Sequence, residues 1–179
     1  HLYLHSFPTR RSSDLTVRCT SPETAYDGLW ITENVQEHNY KGEPVNLGQT
    51  ADCSVRFSFK GKDIYWRAFK GQNSGKADVY LDDVLQKTVD CYAAPSTGDQ
   101  FAFVGSGLDP DVTHTIKIVV RGDKNAKSRG TAIRHMAFEY AAESYRASDG
   151  FSCIMGKNNW HYTQRKGKTC SDMRFSNPN

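Results

Sequence analysis

Tyr65-Trp66-Arg67 places two aromatic rings and a guanidinium side by side, and Gln72 and Asn73 follow in a loop bounded by Gly71 and Gly75. A flat ring offers apolar surface, while guanidinium and amide groups offer planar sets of donors and acceptors. Together they suit a ligand that has one apolar face and a rim of hydroxyls. Trp66 admits two readings, as a platform for such a ligand or as a core residue beside Ile64 and Ala68. Tyr92, Asp99 and Gln100 fall in or next to a second loop, 93–100, that would line one end of the same body. Arg134 and His135 stand at the start of a late strand, either on a ligand-facing rim or on an ordinary strand surface. His114 begins another strand and is expected to hydrogen-bond a nearby turn.

Catalytic chemistry finds less support. Glycoside hydrolysis needs two carboxylates at a set separation in a cleft, and among 20 acidic residues no motif selects a pair. A Gly-x-Ser-x-Gly elbow, a phosphate-binding loop, a dinucleotide fingerprint and a metalloprotease motif are all absent from the sequence. Asp78, Asp82, Asp83 and Asp90 crowd one hairpin. Calcium requires several oxygens converging on one point, whereas these alternate between faces, so a structural calcium ion is not favoured and no cofactor is expected. The five cysteines, Cys19, Cys53, Cys91, Cys153 and Cys170, form no Cys-x-x-Cys and lack zinc-site spacing. Cys53 with Cys91, or Cys153 with Cys170, would pair in an oxidising compartment. The alternative is that the thiols serve as small buried hydrophobes.

The elements that must position these groups are strands. Ala77, Val79 and Leu81 alternate with Lys76, Asp78 and Tyr80, then Asp82-Asp83 turns the chain and Val84 to Val89 returns. Glycine is preferred second in such a turn because φ is positive there, so Asp83 predicts a strained or wider turn. Cys53, Val55, Phe57 and Phe59 alternate with Ser54, Arg56 and Ser58 in a strand over 52–60. Gly61-Lys62 reads as a turn, and 63–69 as a strand with Ile64, Trp66 and Ala68 on one side and Tyr65, Arg67 and Phe69 on the other. Short strands follow at 101–104, 113–121 and 131–140, the last with Met136, Phe138 and Tyr140 inward. Roughly eight strands with turn signals every eight to twelve residues predict an all-β antiparallel sandwich over 16–140. Residues 141–150 read as a linker or short helical turn, and 151–179 as a truncated three-stranded meander, the start of a second β-module.

A net charge of +3 with scattered Lys and Arg predicts no nucleic-acid partner. No apolar run reaches the roughly 18 residues of a membrane helix, so no membrane partner is expected. Residues 5–15, His-Ser-Phe-Pro-Thr-Arg-Arg-Ser-Ser-Asp-Leu, resemble a translated sequencing adapter and lack any hydrophobic period. Residues 1–15 are therefore expected to be an artefactual tail outside the fold, and both natural ends are expected to lie beyond this sequence.

Several short motifs recur in order: Phe59-Lys-Gly-Lys-Asp-Ile-Tyr-Trp, Gly75-Lys-Ala-Asp-Val-Tyr-Leu-Asp, Thr88-Val-Asp-Cys-Tyr, Gly107-Leu-Asp-Pro, His114-Thr-Ile-Lys-Ile-Val-Val and Ala137-Phe-Glu-Tyr. Across 26–140 they resemble the galactose-binding-like jelly-roll modules appended to secreted bacterial glycan-active enzymes. Family members carry Asp-Gly where this chain has Asp82-Asp83, and an Asp where Met136 stands. The resemblance implies an extracellular, non-catalytic accessory module whose partners are carbohydrate and the neighbouring domains of its own polypeptide. The candidate sugar contacts are then Tyr65, Trp66, Arg67, Gln72, Asn73, Tyr92, Asp99, Arg134 and His135. The alternative is a structural spacer that packs a catalytic domain and binds no sugar. A fragment of a glycoside hydrolase or lyase is the remaining one.

Overall fold

The computed structural model describes residues 14–35, 43–142, 144–146, 152–156 and 159–162. It is all β. The N-terminal strands are β1 (Asp14–Arg18), β2 (Ala25–Asp27), β3 (Trp30–Asn34) and β4 (Pro44–Gly48). The middle of the chain gives β5 (Ser54–Phe59), β6 (Gly61–Lys70), β7 (Lys76–Leu81), β8 (Val84–Asp90) and β9 (Thr97–Ser106). The long strands β10 (His114–Val120) and β11 (Ile133–Ala142) complete the sandwich. One sheet runs β3-β4-β11-β6-β9, with β1 also paired to β11, and the other runs β2-β5-β10-β7-β8. The ladders between these strands are antiparallel.

The alternation that defines the strands also builds the core. Val55, Phe57 and Phe59 from β5, Val79 from β7, Ile116, Ile118 and Val120 from β10 meet Ile64, Trp66, Ala68 and Phe138 from the facing sheet. Each fully buried side chain of this kind contributes about 1.5–3 kcal/mol. Cys19, Cys53 and Cys91 are buried free thiols, so Cys53 and Cys91 do not pair. The Cys153–Cys170 pairing lies outside the described residues.

Several expectations are corrected. Asp14 and Leu15, placed in the tail from sequence, pair with Ala141 and Tyr140 as strand residues; residues 1–13 lie outside the described residues. Gly61-Lys62 is not a turn. The chain passes from one sheet to the other at Lys60 alone, and Gly61 opens β6. Thr97–Gln100, read as loop, belong to β9. Within 141–150, Ser144–Arg146 form a strand, β12, which pairs with β13 (Ser152–Gly156), and β13 pairs with β14 (Asn159–Tyr162). The third strand of the expected meander lies outside the described residues.

The Asp82-Asp83 turn is tight, not wide. Leu81 pairs with Val84 across it, and both aspartates adopt positive φ, 51° and 61°. Asp82 offsets that strain by tying the turn to β10. Its Oδ1 accepts from the Thr115 N–H at 2.8 Å, its Oδ2 meets His114 Nδ1 at 2.7 Å, and its own N–H donates to the Thr115 carbonyl at 2.9 Å.

A bulge in β11 governs the site. The register with β6 shifts between His135 and Ala137, leaving Met136 unpaired. One extra residue reverses which side chains face inward. His135, Phe138 and Tyr140 therefore face the core, while Met136 turns outward and joins Val35, Val45 and Phe69 in a second small cluster. Met136 was expected inward and His135 outward, and an even alternation through 131–140 cannot accommodate the bulge.

Candidate functional site

The outer face of the six-stranded sheet carries a connected set of engaged polar groups. Arg67 and Tyr65 alternate with the buried Trp66 and Ala68 along β6, so both point away from the core. Glu139 lies opposite Tyr65 on β11, and Phe101 opposite Arg67 on β9. Two irregularities in the β6–β9 ladder bring β9 side chains to this face: Ala102 is extra between Phe101 and Phe103, and the register slips again between Ala68 and Lys70. Asp99 sits in the second slip with φ 58°, a left-handed conformation that is uncommon for a side-chain-bearing residue and is concentrated where the surroundings enforce it.

Arg67 is clamped from two sides. Its Nη1 donates to Glu139 Oε1 at 2.6 Å, and its Nε and Nη2 reach Asp99 Oδ1. Thr16 Oγ1 donates to the same Glu139 oxygen at 3.2 Å. The side chains of Arg67, Glu139 and Asp99 are 14%, 4% and 46% exposed, so the guanidinium is largely desolvated and Asp99 is the part that solvent reaches. Burial pushes the Arg67 pKa down, but Asp99 and Glu139 outweigh it and the net shift is upward. Beside the clamp, Tyr65 and Phe101 form a tilted ring pair with centroids 5.4 Å apart. Arg18 and Glu43 add an ion pair at 2.6 Å. The hydrogen bond from Arg18 lowers the Glu43 pKa, and the charge of Arg67 adds to it.

Arg134 occupies the same outer face on β11, but its place is structural. Nε donates to Glu33 Oε1 at 2.7 Å and the guanidinium covers the Phe69 ring at 5.7 Å. Two other predicted residues are in the core. Trp66 Nε1 donates to His135 Nδ1 at 3.2 Å, both side chains are fully buried, and neither reaches a surface where a ligand could meet it. Burial alone pushes the His135 pKa down to about 3, and the imidazole packs at 4.5 Å from Phe138. Among the described residues, Nε2 of that ring has no hydrogen-bond partner.

Gln72, Asn73 and Tyr92 come together at one end of the sandwich, apart from Arg67. Gly71 and Tyr92 form a parallel bridge. The Gln72 carbonyl accepts from the Arg129 N–H at 2.8 Å and from Ser128 Oγ at 3.0 Å. Their backbones are thus committed to holding the loops, and Tyr92 N–H donates to Asp90 Oδ1 at 2.9 Å. Three of the four hairpin aspartates have separate partners: Asp78 takes Arg121 and Thr88, Asp82 takes His114, and Asp90 takes Asn125. Among the described residues no group of three or more His, Cys, Asp or Glu side chains is placed to hold a metal ion.

Of the nine residues singled out from sequence, Tyr65, Arg67 and Asp99 converge. Glu139 and Phe101 were missed. Glu139 was visible only as part of the Ala137-Phe-Glu-Tyr framework motif, and its place against Arg67 depends on a register that sequence alone does not display. Phe101 sat in a predicted strand without a face assigned.

With this geometry in hand, the chain can be set beside known proteins. It is 37% identical over 97 residues to the A type blood alpha-D-galactosamine galactosaminidase of Flavonifractor plautii, a match covering 54% of this chain and 8% of that protein. It is 40% identical over 67 residues to the A type blood N-acetyl-alpha-D-galactosamine deacetylase of the same organism, covering 37% of this chain and again 8% of the relative. The aligned part of this chain thus spans under a tenth of either relative. Among solved structures, a two-domain esterase active on acetylated mannans, co-crystallized with mannopentaose, superposes with a TM-score of 0.53 at 10% identity, over 75% of this chain and 38% of that one. At that identity the likeness concerns the fold alone. No family model matches. Among the described residues no helix is long and apolar enough to cross a membrane.

Proposed function

We propose that this chain is a non-catalytic accessory module of a secreted bacterial glycan-active protein, and that it binds carbohydrate on the outer face of the six-stranded sheet. The observation that carries the reading is the Arg67 clamp beside the Tyr65–Phe101 rings. A guanidinium held by Glu139 in turn fixes the exposed Asp99 carboxylate in one orientation, so little side-chain freedom is lost when a sugar hydroxyl docks on it. The exposed Asp99 carboxylate accepts from hydroxyls, and Phe101 offers its ring to the apolar face of a sugar.

The relatives support the accessory role. One is a galactosaminidase and the other a deacetylase, and each is matched over 8% of its length. A segment similar to parts of two enzymes with different reactions is better suited to holding the substrate than to either reaction. The sugars in their names, galactosamine and N-acetylgalactosamine on A type blood glycans, are the first ligands to test.

Isothermal titration of the full chain against a glycan panel headed by these sugars tests the reading. Arg67→Ala is expected to weaken binding at least tenfold, equivalent to about 1.4 kcal/mol, with the fold intact by circular dichroism. Absence of binding at millimolar oligosaccharide would instead favour a spacer that packs a neighbouring domain.

A further inference from the structure

Among the described residues, strand β8 ends one sheet and β9 ends the other, and both edge strands flank an open groove of about 730 Å³. Val84, Leu85, Phe101 and Val104 gather along these two strands with exposures between 47% and 62%. Such a concentration of exposed apolar side chains marks an interaction surface. Phe101 lines the groove and also pairs in register with Arg67, so groove and Arg67 face are continuous through one ring.

The edges are built against a strand as occupant. A bulge between Val79 and Tyr80 leaves Gln86 extra on β8 and sets Lys87 opposite the core residue Val79. A bulge, and a lysine set opposite a core residue in the ladder, are devices by which an edge strand resists further pairing. What remains is a channel with apolar walls at Val84, Phe101 and Leu108 and polar groups at Gln86, Lys87 and Ser106. Alternating apolar faces and hydroxyls along an oligosaccharide match that mixture.

We infer that the β8–β9 groove extends the Arg67 face into a multi-residue glycan site, so that the module takes an oligosaccharide chain with one sugar at Phe101 and the following sugars between the two sheet edges. This rests on the carbohydrate reading above and adds the length of the ligand.

A length ladder separates the two claims. The full chain is titrated with galactosamine, N-acetylgalactosamine and mannose, and with A type blood oligosaccharides and manno-oligosaccharides of increasing length. Affinity is expected to rise at least tenfold from monosaccharide to the longest member of the series that binds. Val84→Asp and Lys87→Ala, both at exposed positions, are expected to return the long glycan to monosaccharide affinity and leave the monosaccharide unchanged. Arg67→Ala is expected to weaken both. Equal affinity along the ladder, or long-glycan binding indifferent to both groove variants, overturns the groove while leaving the Arg67 reading standing. No binding by any member overturns both.

Discussion

His114 and His135 respond to protons in opposite directions. Both ring nitrogens of His114 face acceptors, Nδ1 toward Asp82 at 2.7 Å and Nε2 toward the Asp109 carbonyl at 2.9 Å. Only the imidazolium has an N–H for each, and the Asp82 hydrogen bond raises the His114 pKa against the opposing effect of desolvation. A raised pKa gives stability that is fully present below the unfolded value, about 6.5, and that is lost as pH climbs through the folded value. His135 is the reverse case. Held near a pKa of about 3 by burial, it stays neutral while the unfolded chain takes up its proton, so stability falls as pH drops below 6.5. His114→Gln isolates this effect. Urea unfolding of that variant should lose about 1.6 kcal/mol between pH 6.5 and 5 from His135. The gap between wild type and variant should be widest at or below pH 6.5 and shrink at higher pH. Of these two histidines, His114 at a turn was legible from its place at a strand start. His135 was not, because its inward orientation comes from a bulge and not from its neighbours in sequence.

At the scale of elements, the β7–β8 hairpin shows what local rules convey. Alternating Ala77, Val79 and Leu81 were enough to place β7 and its buried face. The turn was harder, because the preference for glycine at its second position is overridden by what Asp82 gains from β10. Asp83, with φ 61°, makes no such hydrogen bond among the described residues. Asp83→Gly should therefore stabilise the protein by about 0.5 kcal/mol, as relief of left-handed strain exceeds the entropy glycine adds to the unfolded chain. Asp82→Gly should destabilise it, since the His114 and Thr115 contacts go with the carboxylate. Thermal unfolding of the two variants side by side reads both signs. The bulges at Met136, Ala102 and Gln86 were illegible for a common reason. Each shifts parity by one residue without any glycine or proline to mark it, yet these shifts bring Phe101 over Arg67 and turn Lys87 toward the groove.

For the molecule as a whole, the sandwich was legible because its inner faces alternate strictly on β5, β7 and β10. How the two ends are closed was not. Gly75 packs so close to Thr131 that any Cβ there would run into the Thr131 carbonyl. Its N–H donates to the Ala132 carbonyl at 2.9 Å and its carbonyl accepts from the Cys91 N–H at 3.0 Å. Gly75→Ala should thus cost about 2–4 kcal/mol, in the range of overpacked sites, and lower the unfolding midpoint while leaving the outer face of the other sheet, and sugar affinity below that midpoint, unaltered.

The three buried thiols give the molecule built-in clocks. Cys19 follows β1, Cys53 precedes β5 and Cys91 follows β8. A thiol reagent reaches each only when its own piece of the structure opens. Their separate alkylation rates, followed by peptide mass spectrometry, would rank how readily the N-terminal strand, the sheet interior and the hairpin base come apart. Because none of the three is tied in a disulfide, the ranking requires no reductant and no engineered probe.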